Sequence, residues 1–147
     1  MERENTLVRA IEDRFKELSE RWRTELESID FVDRDNGPNP GLRAFLRSPA
    51  KVEQAFGGIN SSLWDDPFEW TLPEAMASRQ SVAEYLDEVD EARSAGFRRI
   101  LSDADLAKVI RTPFGDMSLA DLLLNTLCDS VRLAAAARTI VPGRRKT

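Results

Sequence analysis

The sequence predicts an all-α protein built as a four-helix bundle, and three observations carry that expectation. Four long segments repeat apolar residues at helical spacing. The connections between them are short and rich in turn formers. At 147 residues the chain is long enough to bury one sizeable core without covalent staples. We expect one domain over residues 1–141, followed by a short basic tail at 142–147 for which disorder is the expected state.

Composition narrows the function classes. Twenty-one basic residues against 26 acidic ones leave a net charge of −5 and a pI near 4.9. Phosphate neutralisation needs a basic face, so a nucleic-acid partner is not expected. The single Cys128 excludes an intramolecular disulfide and suits a reducing compartment. No leader-like segment and no membrane-spanning apolar run is visible, so a cytoplasmic protein with no membrane partner is expected. Histidine is absent. That removes the commonest metal ligand and the commonest general base, so neither a metal nor another cofactor is expected.

The first helix is expected to start at an Asn5–Thr6 cap and to run through Leu7, Ile11, Phe15, Leu18, Trp22, Leu26 and Ile29, one apolar stripe with charged residues elsewhere. Phe15 and Trp22 are expected in the core rather than in an aromatic pocket. Residues 30–41 (DFVDRDNGPNPG) hold two prolines and two glycines and read as a surface connection. Residues 42–47 add a helical turn. Ser48–Pro49 then resembles a cap with proline at the first helical position. The helix that follows should turn Val52, Phe56, Ile59 and Leu63 inward. Gly57–Gly58 within it lets another backbone or a ligand come close, and close helix packing is the expected use.

Residues 64–72 (WDDPFEWTL) bring Trp64, Phe68 and Trp70 together. Such a loop either closes one end of the core or forms the mouth of a pocket where a flat ligand stacks. A third helix is expected from Thr71–Pro73–Glu74 to about Leu101. Its inward face holds Ala75, Val82, Tyr85, Leu86, Val89, Phe97 and Ile100. Arg79 and Arg93 fall on the same face, where an arginine either binds an anion or lies at the margin with its head in water. Ser102 to Asp105 caps a short turn that includes Leu106. Residues 108–116 are extended around a Pro-x-Gly turn, allowing a small two-strand excursion before the last helix. Ser118 and Asp121 resemble a capping box for that helix, which runs to Val141.

In the last helix Leu119, Leu123, Leu127, Ala134 and Ala137 define the buried face. Asp129 lies at its edge beside Leu122, Thr126 and Leu133, with Asn125 and Arg132 further out. An edge carboxylate needs a partner, and a pairing of Asp129 with Arg79 or Arg93 across the fold is expected as an alternative to simple hydration. Cys128 has no base near it in sequence and reads as a core or margin residue. The run Ala134–Ala137 suits close internal packing or a dimer face.

From about Ile59 onward the order of elements resembles a known family. The aromatic loop WDDPFEWTLPE is followed by a long acidic helix, by LSDADLAKVIRTPFGDMSLADLLL and by a terminal helix. This is similar to the DinB-like superfamily, the YfiT-type bundles that include mycothiol-dependent maleylpyruvate isomerases and bacillithiol transferases. The resemblance covers a little over half the chain. Active members hold a metal on three histidines, one in helix two and two as HxxxH in the last helix. Aligned on SLADLLL, the last two positions are Asp129 and Leu133, and the first falls near residues 54–57. The resemblance therefore implies a degenerate, metal-free site.

Members are often dimers, so a homodimer is implied as well. Three functions follow as expectations: a small-molecule-binding or regulatory module, a metal-independent thiol-dependent S-transferase or isomerase, and a structural homodimer without a pocket. Asp129, Arg79, Tyr85, Trp64 and Trp70 are the ligand-binding candidates.

Overall fold

The computed structural model describes residues 4–29, 31–33, 37–38, 40–66 and 78–140. The described residues form an all-α fold with four long helices: α1 (Thr6–Leu26), α2 (Pro40–Ser61), α3 (Arg79–Arg98) and α4 (Leu119–Ile140). Two small antiparallel pairs join them: β1 (Val32–Asp33) with β2 (Gly37–Pro38), and β3 (Val109–Thr112) with β4 (Gly115–Ser118). A 3-10 turn, Asp103–Ala107, precedes the second hairpin. The start expected for the third helix, at residues 71–77, and the basic tail lie outside the described residues.

Helix α2 packs against α4 and α3, and α1 packs against α3, α4 and α2. One core fills the space between them. At its centre the rings of Phe15, Phe56 and Phe97 meet with centroids 5.4 to 5.8 Å apart, the Phe15–Phe56 pair edge to face at 82°. These are favoured arrangements for aromatic pairs. Trp22 is buried, as its place in the α1 stripe predicts.

Four expectations change. Ser48 and Pro49 do not open a helix; α2 runs unbroken through them. Pro49 cannot donate to the carbonyl one turn back. Ser48 is instead fully buried, where its hydroxyl accepts from Trp22 Nε1 (2.8 Å) and donates to the Ser130 carbonyl (2.7 Å). One hydroxyl thus ties α1, α2 and α4, and that tie holds the segment in the helix.

The second change is at the start of α1. Asn5 occupies the cap position but makes no side-chain cap bond. The carboxylate of Asp103 accepts from the Leu7 and Val8 amides at 3.2 and 3.0 Å, while the Asp103 amide donates to the Glu4 carbonyl at 2.8 Å. Free helix-end donors take any well-placed acceptor, and a carboxylate also complements the helix dipole.

The third concerns the glycine pair. The chain leaving α2, rather than a second helix, folds back on it. Ser62 takes a left-handed φ of 60°, and a β-carbon built on Gly58 would lie 2.4 Å from the Trp64 ring. Because the chain turns there, Leu63 does not reach the core and is 58% exposed. The fourth is Arg93, expected at the margin but buried against Asp90, Nη2 to Oδ1 at 3.4 Å.

The β3–β4 hairpin is the extended excursion expected before the last helix. Pro113 and Phe114 form its tip, Gly115 supplies the positive φ of 115°, and Thr112 Oγ1 closes the turn on the Gly115 carbonyl at 2.7 Å. Helix α4 then starts with Ser118 Oγ accepting from the Asp121 amide at 3.0 Å, the first half of the expected capping box. The alanine run divides between two environments: Ala137 is buried and Ala134 half-buried, while Ala135 and Ala136 are exposed.

Candidate functional site

A groove lies between α2 and α4, under the β3–β4 tip. One part is a cleft of about 360 Å³ lined on one wall by Lys51, Gln54 and Ala55, and on the other by Leu122, Asn125, Thr126, Cys128 and Asp129. Trp64, Phe114 and Met117 complete its lining. A second cleft of about 330 Å³ shares Lys51, Gln54 and Asp129 and adds Arg47, Ala50, Asp66, Arg132 and Leu133. Both volumes fall in the range of small-molecule sites.

Local folding places each of these groups. Lys51 and Gln54 sit a turn apart on α2. Gln54 Nε2 donates to the Trp64 carbonyl at 3.0 Å, which pins the segment leaving α2 beside the groove. The indole rests on Gly58, where only the lack of a side chain leaves room for it. Phe114 is held out at the hairpin tip, 74% exposed, with Lys51 Nζ 6.0 Å from its ring centroid. Two aromatic faces and one ammonium therefore converge at the mouth.

Asp129 is at the edge of the buried face, as its helical position predicts, and lines both clefts. Its expected partner is wrong. Arg132, one turn along α4, donates to its Oδ1 at 3.1 Å. Neither Arg79 nor Arg93 is available, because each is engaged elsewhere. Arg79 donates through Nη1 to the Leu26 carbonyl and through Nη2 to the Ile29 carbonyl (2.6 Å), with its guanidinium 4.8 Å from the Phe31 ring centroid. It closes the C-terminal end of α1. Arg93 is taken by Asp90, which also accepts from Ser19 Oγ (2.7 Å) and Arg23 Nη2 (2.5 Å).

Tyr85 also stands apart from the groove. It is 2% exposed in the core, and neither cleft includes it. Burial, and then the charges of Glu53 and Glu88, hold its hydroxyl protonated far above the ordinary tyrosine range. A phenol so placed does not exchange protons at neutral pH. Of the five candidates, then, the structure brings Asp129 and Trp64 together and puts Arg79 and Tyr85 elsewhere. Trp70 lies outside the described residues.

Lys51, Phe114 and Cys128 are the groove residues that sequence reasoning missed. Phe114 had a signal: it takes the i+2 place of the two-residue Pro113–Phe114 tip, away from the core. Cys128 is exposed and lines the larger cleft rather than the core.

The residues at the positions that the DinB-like resemblance would assign to metal ligands do not suit a metal. Gln54 offers an amide already in use, Asp129 one carboxylate paired with Arg132, and Leu133 no donor. Among the described residues no group of three or more Cys, Asp or Glu is placed to hold a metal ion. No helix of the described residues is long and apolar enough to cross a membrane. No family model, curated protein or solved structure matches the chain.

Proposed function

We propose that the protein is a small-molecule-binding module, a DinB-like fold whose former metal position has become a metal-free ligand groove. The observation that carries this reading is the pair of clefts sharing Lys51, Gln54 and Asp129. Gln54 lies within the stretch, residues 54–57, that aligns with the helix-two ligand, and Asp129 and Leu133 align with the last-helix pair. All three border hollow space and none forms a metal donor set. Concave, partly apolar space with a few convergent polar groups is the usual form of a ligand site.

The test uses the only thiol in the chain. Cys128 is exposed in the larger cleft, so an occupant should slow its alkylation. A fragment library is screened for compounds that both raise the melting temperature and slow iodoacetamide labelling of Cys128 at least about twofold, as mass action requires above Kd. Failure of every fragment to protect Cys128 overturns the reading. A stoichiometric transition metal in the purified protein overturns its metal-free part.

A homodimer is a second, compatible reading, favoured by a specific feature. Leu124 (45% exposed), Val131 (39% exposed) and Ala135 form an exposed apolar stripe along α4. Sedimentation equilibrium at micromolar concentration should then return twice the chain mass, and Val131→Glu should return the monomer mass.

A further inference from the structure

We propose that the groove between α2 and α4 selects planar aromatic monoanions, gripped by Trp64 and Phe114 and oriented by Lys51. This rests on the groove being a ligand site and adds the chemistry of what enters it.

Charge is the first consideration. Among the described residues Lys51 forms no ion pair, and its Nζ lies 6.0 Å from the Phe114 ring centroid. Asp129, which faces the same space, is balanced by Arg132. The lining of the two clefts carries three cations, Arg47, Lys51 and Arg132, against two carboxylates, Asp66 and Asp129. The cleft that the two rings border has Lys51 and Asp129 as its charged lining residues, and because Asp129 is paired with Arg132, the Lys51 ammonium is the charge left to meet a ligand. The cleft admits one negative charge, while Asp129 opposes a second.

Shape is the second. A half-buried indole lying against Gly58 and a phenyl ring held out at a hairpin tip border one cleft, with the ammonium 6.0 Å from the phenyl centroid. A flat ring entering the cleft meets both aromatic side chains, and its acidic substituent meets Nζ. Stacking and edge-to-face contact favour an aromatic body over a saturated one. The hydroxyl of Thr126 and the amide of Asn125 on the opposite wall can take neutral polar substituents.

Isothermal titration calorimetry of the full chain separates the parts of this proposal, using 1-naphthoate, the neutral 1-naphthamide and the saturated decahydronaphthalene carboxylate. The carboxylate should bind about tenfold or more tightly than the amide, the size expected of a charge-assisted hydrogen bond. Lys51→Gln should reduce that preference to within about twofold while leaving the melting temperature unchanged, since Lys51 supplies charge and no core packing. Phe114→Ala should weaken both aromatic compounds. Raising the salt concentration should weaken naphthoate alone.

Equal binding of naphthoate and naphthamide overturns the anion claim, as does a preference that survives Lys51→Gln. Equal binding of the saturated acid overturns the aromatic claim. In each of these cases a ligand still occupies the groove and protects Cys128, so the broader reading stands. Absence of binding by all three overturns this proposal, and the fragment screen then decides the broader one separately.

Discussion

Two glycines in contact with aromatic rings show how one atom added in two places has opposite consequences. A β-carbon on Gly96 would stand 2.4 Å from the Phe56 ring, which is fully buried between Phe15 and Phe97. That ring cannot move without disturbing the core, so Gly96→Ala should lower stability by about 1 to 3 kcal/mol in a urea titration, the usual cost of overpacking. On Gly58 the same carbon would stand 2.4 Å from Trp64, whose indole borders open groove. There the ring can swing away. Helix propensity returns about 1 kcal/mol on replacing glycine by alanine. Gly58→Ala should therefore leave stability near the parent value while altering the alkylation rate of Cys128. Unchanged stability of Gly96→Ala would mean that the phenyl triad is looser than its geometry indicates.

At the scale of elements, the helix ends are joined by groups far away in sequence. Asp103→Ala should cost about 0.5 to 2 kcal/mol, the range for lost helix caps, and amide hydrogen exchange should accelerate at Leu7 and Val8 before it does elsewhere in α1. What was legible in the sequence follows the same division. Periodicity located α1, α3 and α4 and most of their buried faces, because a face is a local property of spacing. Asp129 at an edge was legible for that reason. Its partner was not, since Arg79 and Arg93 were committed to groups on α1 and α3 that no spacing reveals. Ser48–Pro49 misled because a serine before a proline has the same sequence signature as a cap, whether or not a buried tryptophan N–H is waiting for the hydroxyl. Trp64 was legible as one wall of a pocket. Lys51, opposite it, was one charged residue among many on a helix.

For the molecule as a whole, Ser48 is the point where three helices share one polar atom. Ser48→Ala leaves the Trp22 N–H buried without its acceptor, for which about 1 to 3 kcal/mol is expected in chemical denaturation. Ser48→Thr keeps the hydroxyl and tests whether the added methyl fits. Acid sensitivity is another global property with a local source. The Asp105 carboxylate accepts from Lys108 Nζ at 3.1 Å and from the Leu101 amide at 2.8 Å, and these contacts hold its pKa below the ordinary 3.8. A pKa lower in the folded state means stability that is whole above the unfolded value and lost as pH falls through the folded one. The parent should thus exceed Asp105→Asn in urea midpoint at ~pH 6, and the gap should close below about pH 4. A gap constant down to ~pH 2 would show that charge is not its source.

The acceptor at the start of α1 also has a consequence in time. During synthesis α1 leaves the ribosome early, yet the carboxylate that completes it lies 95 residues downstream of Val8. Until that segment emerges, the amides of the first turn of α1 have only water to bond, and the turn frays. Formation of the 3-10 turn and the completion of α1 are then one event, later than the formation of the rest of α1. A chain interrupted before Asp103 should carry an α1 that is helical in its middle and frayed at its beginning.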